Sequence, residues 1–181
     1  MKNLLILHGI YGSPDENWFP WLKKELERED IEVVIPHLPT KEPLKPEDWW
    51  EAFKEYESLI NEDTIIVGHS LGAAFALKII EKHPVAAALF VAPAWGKTDN
   101  EFTPVMQAVA DQKFDWKKIK RNCKNFTVLY SDNDPYLSID HGKNLAKHLN
   151  AKEIFISGGG HLNASSNYLE FPTLLTEIQK R

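Results

Sequence analysis

Thr64-Ile65-Ile66-Val67-Gly68-His69-Ser70-Leu71-Gly72-Ala73-Ala74-Phe75-Ala76-Leu77 sets the architecture of this chain. An apolar, β-branched run meets a Gly-x-Ser-x-Gly turn, and a helix of small and apolar residues follows. The succession reads as buried strand, sharp turn and central helix, with Ser70 at the apex. Gly68 and Gly72 leave room for strand and helix to approach, and the turn holds the Ser70 hydroxyl where a base and a substrate reach it. The first N–H groups of the helix point at the same spot. The pentapeptide alone also fits an ordinary Ser-Gly turn. The flanks favour the strained form, because the helix is apolar almost all round, as a central helix should be.

Apolar strands alternate with helices along the rest of the chain. Strands are predicted at Leu4–Leu7, Ile31–Ile35, Thr64–Val67, Val85–Val91, Phe126–Tyr130 and Glu153–Ser157. Helices are predicted at Trp18–Glu29, Pro46–Ile60, Leu71–Lys82, Asp140–Leu149 and Tyr168–Gln179, with two shorter ones near Thr103–Asp111 and Trp116–Asn122. Continuous apolar strands separated by helices imply an α/β fold: a mainly parallel sheet of about six strands in a three-layer α/β/α sandwich. Residues 1–181 are expected to form a single domain. Ligands of such sheets bind at the C-terminal strand ends. The reactive residue types fall there. His8-Gly9 follows the first strand, Ser70 the third, Asp132 and Asp134 the fifth, and His161 the sixth. The interval 92–125 is too short for a large cap, so the pocket is expected to be fairly open.

Composition narrows the function classes. The 181 residues are 43% hydrophobic and 26% charged, with a net charge of −5. That balance suggests no nucleic-acid partner. The basic run Lys117-Lys118-Ile119-Lys120-Arg121 reads as a solvated helix face. Cys123 is the only cysteine, so no internal disulfide forms; Cys/His metal spacing is absent, and no metal or cofactor is expected. No apolar run reaches signal-peptide or transmembrane length, which points to a cytoplasmic protein without a membrane partner. A protein partner is compatible with this composition but has no readable signature.

Acyl transfer needs a nucleophile, a base and a group that orients the base. Ser70 supplies the first. His161, in Gly158-Gly159-Gly160-His161-Leu162, is the expected base, because the order Ser, acid, His suits this architecture. His69 adjoins Ser70 along the chain, and its side chain is expected to point away. His8 is expected to tie loops together through the backbone. The acid lies in Ser131-Asp132-Asn133-Asp134-Pro135. Asp134 is favoured, since Pro135 pushes it out of helical geometry and fixes the turn; Asp132 is the alternative. The N–H of Leu71 is one expected oxyanion donor. The second should come from His8-Gly9-Ile10-Tyr11-Gly12, with Ile10 favoured over Tyr11. Tyr11, Trp18, Trp95, Met106, Tyr136 and Leu162 are candidate pocket residues.

Together these segments resemble the small serine hydrolases of the α/β-hydrolase superfamily related to retinoblastoma-binding protein nine and YdeN. Pro36-His37-Leu38-Pro39 followed by Trp49, the elbow, the 131–135 loop and Gly160-His161 carry the likeness, which spans essentially the whole length. The resemblance implies a compact hydrolase without the superfamily's extra N-terminal strands or large lid, and Ser70, Asp134 and His161 as a triad. His8-Gly9 stands where some relatives carry proline-glycine. The expected substrate is a small-molecule ester or acyl compound. Peptidases and thioesterases use the same triad; a non-catalytic binding module on this scaffold is the alternative of another class.

Overall fold

The computed structural model describes residues 2–40 and 42–181. Six strands, β1 (Asn3–Leu7), β2 (Glu32–Val34), β3 (Ile65–His69), β4 (Ala87–Val91), β5 (Phe126–Ser131) and β6 (Lys152–Ile156), form one sheet in the order β2-β1-β3-β4-β5-β6. All five pairings are parallel. Among the described residues, seven helices connect or flank them: α1 (Phe19–Glu27), α2 (Pro46–Phe53), α3 (Gly72–Lys82), α4 (Thr103–Ala110), α5 (Trp116–Asn122), α6 (Ile139–Leu149) and α7 (Pro172–Gln179).

Side chains alternate across a strand, so each central strand feeds two cores. Leu5, Leu7, Ile66, Ala88, Phe90 and Val128 join the core built with α2 to α6. Leu4, Ile6, Ile65, Val67, Leu89 and Val91 join the core built with α1 and α7. Helices therefore cover both faces of the sheet, as a fully parallel sheet requires. Among the described residues, no helix is long and apolar enough to cross a membrane.

Strand order reverses between β1 and β3, since their crossover connections run to opposite sides of the sheet. A crevice opens at such a switch point, beyond the C-terminal strand ends. Leu7 pairs with Gly68, which sets the loop after β1 beside the turn after β3.

Two helices, α2 and α7, fall furthest short of what the periodicity suggests. α2 ends at Phe53 rather than Ile60, because Tyr56 N–H bonds Phe53 O and the chain tightens into a 3-10 turn at Glu57–Leu59. α7 begins at Pro172 rather than Tyr168. The residue before a proline avoids helical geometry, and Asn167 sits at φ +66, so the stretch before Pro172 forms a turn.

Candidate active site

Ser70 stands between β3 and α3 at φ +53, a region that L residues rarely adopt. Such a backbone costs about 1–3 kcal/mol and persists only where the surroundings fix it. Here Ser70 N–H donates to Val91 O at 3.0 Å, and Ser70 O accepts from Ala73 and Ala94 N–H, each at 3.0 Å. The neighbouring glycines are needed for close approach. A Cβ on Gly72 would lie 2.2 Å from Leu7 O, and one on Gly9 would lie 2.7 Å from Ser70 Cβ. The end of β1 therefore packs directly on the elbow.

His161 follows β6 in a loop whose carbonyls are held one after another by side chains. Ser131 Oγ donates to Gly160 O, His69 Nε2 contacts His161 O at 3.1 Å, and Trp18 Nε1 donates to Leu162 O at 3.0 Å. Asn133 Oδ1 accepts from Gly160 N–H at 2.7 Å, and Ser166 Oγ from His161 N–H at 3.2 Å. The His161 ring meets Asp134 through Nδ1 and Oδ2 at 2.7 Å, with side-chain exposures of 8% and 6%. A carboxylate only accepts, so Nδ1 carries a proton, which leaves Nε2 as the acceptor nitrogen of the neutral ring. The other oxygen of Asp134 accepts from Tyr136 N–H at 2.9 Å and Leu137 N–H at 3.2 Å, which fixes the carboxylate plane.

The alternative acid, Asp132, is placed elsewhere. It accepts from Ser157 Oγ at 2.9 Å and Gly158 N–H at 2.7 Å. The Gly158 bond and then Ser157 hold its carboxyl below the usual range. It ties the loop after β5 to the loop after β6.

Ser70 and His161 border one cleft of about 190 Å³. The pocket candidates Tyr11, Met106 and Tyr136 line it, as does Ile10, the expected second oxyanion donor, and the Tyr136 ring stands edge-on to His161 at 5.0 Å. Leu71 heads α3, where backbone N–H groups lack helical partners. In the loop after β1, Gly12 N–H is taken by Gly9 O, while Ile10 N–H has no backbone partner among the described residues. His8 behaves as expected: its Nε2 accepts from Leu38 N–H at 2.9 Å, so Nδ1–H donates to Gly9 O at 2.9 Å.

Three candidate pocket residues lie outside the cleft, each for a packing reason. Leu162 and Trp18 are fully buried in the core under α1 and α7. Trp95 donates to His141 O, packs on Phe114, Trp116 and His148, and borders a separate depression with Lys97 and Asn144. Conversely, Glu16, Asn17, Asn100, Phe102 and Asn163 line the cleft without having been anticipated. They come from loops, Phe102 standing at the N-cap of α4, and no periodicity marks them. Asn100 donates to Tyr136 O at 2.8 Å, so the interval after β4 forms a cleft wall with only two short helices in it.

His69 also departs from expectation. It lines the cleft, and its ring lies 5.1 Å from that of His161. Strand alternation was the available signal, since it puts His69 on the same sheet face as Ile65 and Val67, over which the His161 loop folds. Burial, and then the neighbouring His161, push its imidazole down to about 3. Cys123 is 1% exposed, and burial raises its thiol to about 11.

The parallel sheet, the serine elbow and the histidine beyond the last strand define a compact α/β-hydrolase fold. The chain belongs to the serine hydrolase family, whose model matches residues 4–180. It is 28% identical to YdeN of Bacillus subtilis (strain 168) over 94% of this chain and 91% of that protein. It is 30% identical to the serine hydrolase RBBP9 of Rattus norvegicus over 80% of this chain and 77% of that protein. The crystal structure of the B. subtilis ydeN product superposes with a TM-score of 0.91 at 25% identity, covering 99% of this chain and 98% of that one. Est1E from Butyrivibrio proteoclasticus, solved with bound ferulic acid, shares the fold at a TM-score of 0.72 and 14% identity, over 99% and 90% of the two chains.

Proposed function

We propose that the protein is a carboxylesterase acting on small acyl esters through Ser70, His161 and Asp134. The observation that carries this reading is the 2.7 Å contact between His161 Nδ1 and Asp134 Oδ2, both nearly buried, with the imidazole bordering the same cleft as Ser70. Ser70 Oγ attacks the acyl carbon while His161 Nε2 takes its proton. Asp134 stabilises the imidazolium. The oxygen of the tetrahedral intermediate sits against the N–H groups of Leu71 and Ile10. The leaving alcohol departs with the proton from His161, and a water deprotonated by the same nitrogen then releases the acid from the acyl-enzyme.

The cleft volume supports a small acyl group. It is below the roughly 300–1,000 Å³ usual for drug-sized ligands. Est1E, with its bound ferulic acid, shows a carboxylic acid accommodated on this fold.

The test is hydrolysis of p-nitrophenyl esters of increasing acyl length by the wild type and Ser70→Ala. The expected profile peaks at short chains and vanishes in Ser70→Ala. Turnover in Ser70→Ala equal to wild type, or none in a folded wild type, removes the proposal. The same panel extended to thioesters and aminoacyl amides ranks the esterase against the thioesterase and peptidase that this triad also serves.

A further inference from the structure

We propose that His69 is a positioning residue: its Nε2–H, donated to the His161 carbonyl, clamps the strained loop that aims the catalytic imidazole. This rests on His161 being the base. The first observation is thermodynamic. His69 is 4% exposed, and its Nδ1 is buried without a hydrogen-bond partner among the described residues. An orphaned buried polar atom costs about 1–3 kcal/mol. Trp18 and Phe19 rings surround the imidazole at 6.1 and 6.0 Å, an apolar setting that a methionine would fill without that penalty. What the imidazole offers there, and methionine does not, is the donor at Nε2. With Nδ1 unprotonated, that donor faces His161 O at 3.1 Å.

The second observation is strain in what the donor holds. Gly160 lies at φ +56 and Leu162 at φ +51, so the chain is left-handed immediately before and after His161. A leucine there is costly and stays only if its surroundings hold it. The three bonds from Ser131, His69 and Trp18 supply that hold on consecutive carbonyls, and His69 grips the middle one. The catalytic side chain leaves from the same residue, so a small shift of this carbonyl rotates the imidazole relative to Ser70. Misplacement by about 1 Å costs on the order of 10²-fold in such chemistry.

The charged and titratable side chains that bear on His69 are those of His161 and His8. Both disfavour a second positive charge, so His69 stays neutral while His161 becomes an imidazolium in the reaction. The clamp therefore adds no repelling cation at the moment the imidazolium forms.

The experiment compares His69→Met, His69→Gln and His69→Asn. Glutamine places an amide donor near the position of Nε2; asparagine is too short to reach the carbonyl; methionine has no donor. For a short p-nitrophenyl ester, with rates expressed per folded molecule, the proposal expects at least a tenfold fall in kcat for Met and Asn. KM should stay within about threefold, and Gln should recover kcat to within about threefold of wild type. The NMR resonance of the His161 Nδ1 proton, followed in the same proteins, should shift in Met and Asn and return in Gln. Wild-type kcat in Met, equal losses in Gln and Asn, or an unmoved resonance overturns the proposal. If Met does not fold, the Gln and Asn pair decides alone. Wild-type turnover in His161→Ala would instead strike the reading of His161 as base, while the resonance still reports on the clamp.

Discussion

Asp134→Asn isolates the orienting role proposed for this carboxylate without altering shape, and the structure dictates which way the new amide faces. In the wild type, one carboxylate oxygen accepts from Tyr136 and Leu137 N–H, and the other accepts from His161 Nδ1–H. Two backbone donors demand an oxygen on their side. The asparagine NH₂ must then face His161 and donate to Nδ1, which drives the ring proton to Nε2. The imidazole presents a donor to Ser70 where the reaction needs an acceptor. A wrong-tautomer histidine in such a triad costs about 10⁴ in kcat, or about 5 kcal/mol of transition-state stabilisation at 1.36 kcal/mol per decade. The backbone bonds at Tyr136 and Leu137 survive, so the fold should persist. Asp132→Asn is the internal comparison. That carboxylate serves Ser157 and Gly158 at the loop surface, so less than a tenfold loss is expected. The assay is kcat for p-nitrophenyl acetate, with circular dichroism and urea midpoints confirming matched folded fractions. Asp134→Asn within tenfold of wild type, or Asp132→Asn the more damaging change, refutes the reasoning.

Gly72→Ala sets helix propensity against a clash. Alanine gains about 1 kcal/mol in a helix, but its Cβ would lie 2.2 Å from Leu7 O and 2.7 Å from His8 O, which are backbone atoms. Overpacking at the upper end of about 1–3 kcal/mol wins, so the urea midpoint should fall by the equivalent of about 2 kcal/mol; an unchanged or raised midpoint contradicts this. Stability should also fall with acid through His69. Its folded value near 3 lies below the ordinary 6.5, so the unfolded chain binds the extra proton between those values. The contribution is fully present above 6.5 and is lost as pH falls toward 3. From pH 7 to pH 5, that is about 2 kcal/mol. Burial lowers His8 and His141 too, which adds loss of the same sign. Urea midpoints at both pH values should differ less in His69→Gln than in wild type, and an equal difference would remove His69 as the source.

The sequence made the order of elements and the elbow legible because both are local. Small residues at Gly68 and Gly72 and unbroken apolar strands mark them within a few positions. His161 was findable because it follows the last strand, and a parallel sheet delivers every strand end to one rim. Element ends were harder: α2 and α7 contain helical spacing beyond their limits, and turn chemistry at Tyr56 and Pro172 overrode it. Pocket and core were not separable, since both use large apolar side chains. Leu162 and Trp18 were drawn into the core by α1 and α7, and Trp95 turned toward α5 and α6. The contact of His69 with His161 spans 92 positions: strand alternation gives the face on which His69 lies, and the folded loop brings the His161 carbonyl to it.

The most direct test of the account is covalent labelling with a fluorophosphonate, read by intact mass and peptide mapping. One adduct on Ser70 is predicted, absent in Ser70→Ala and greatly slowed in His161→Ala at equal folded fraction. An unlabelled but folded wild type, or an adduct at another residue, would contradict the claim that Ser70 is an activated nucleophile.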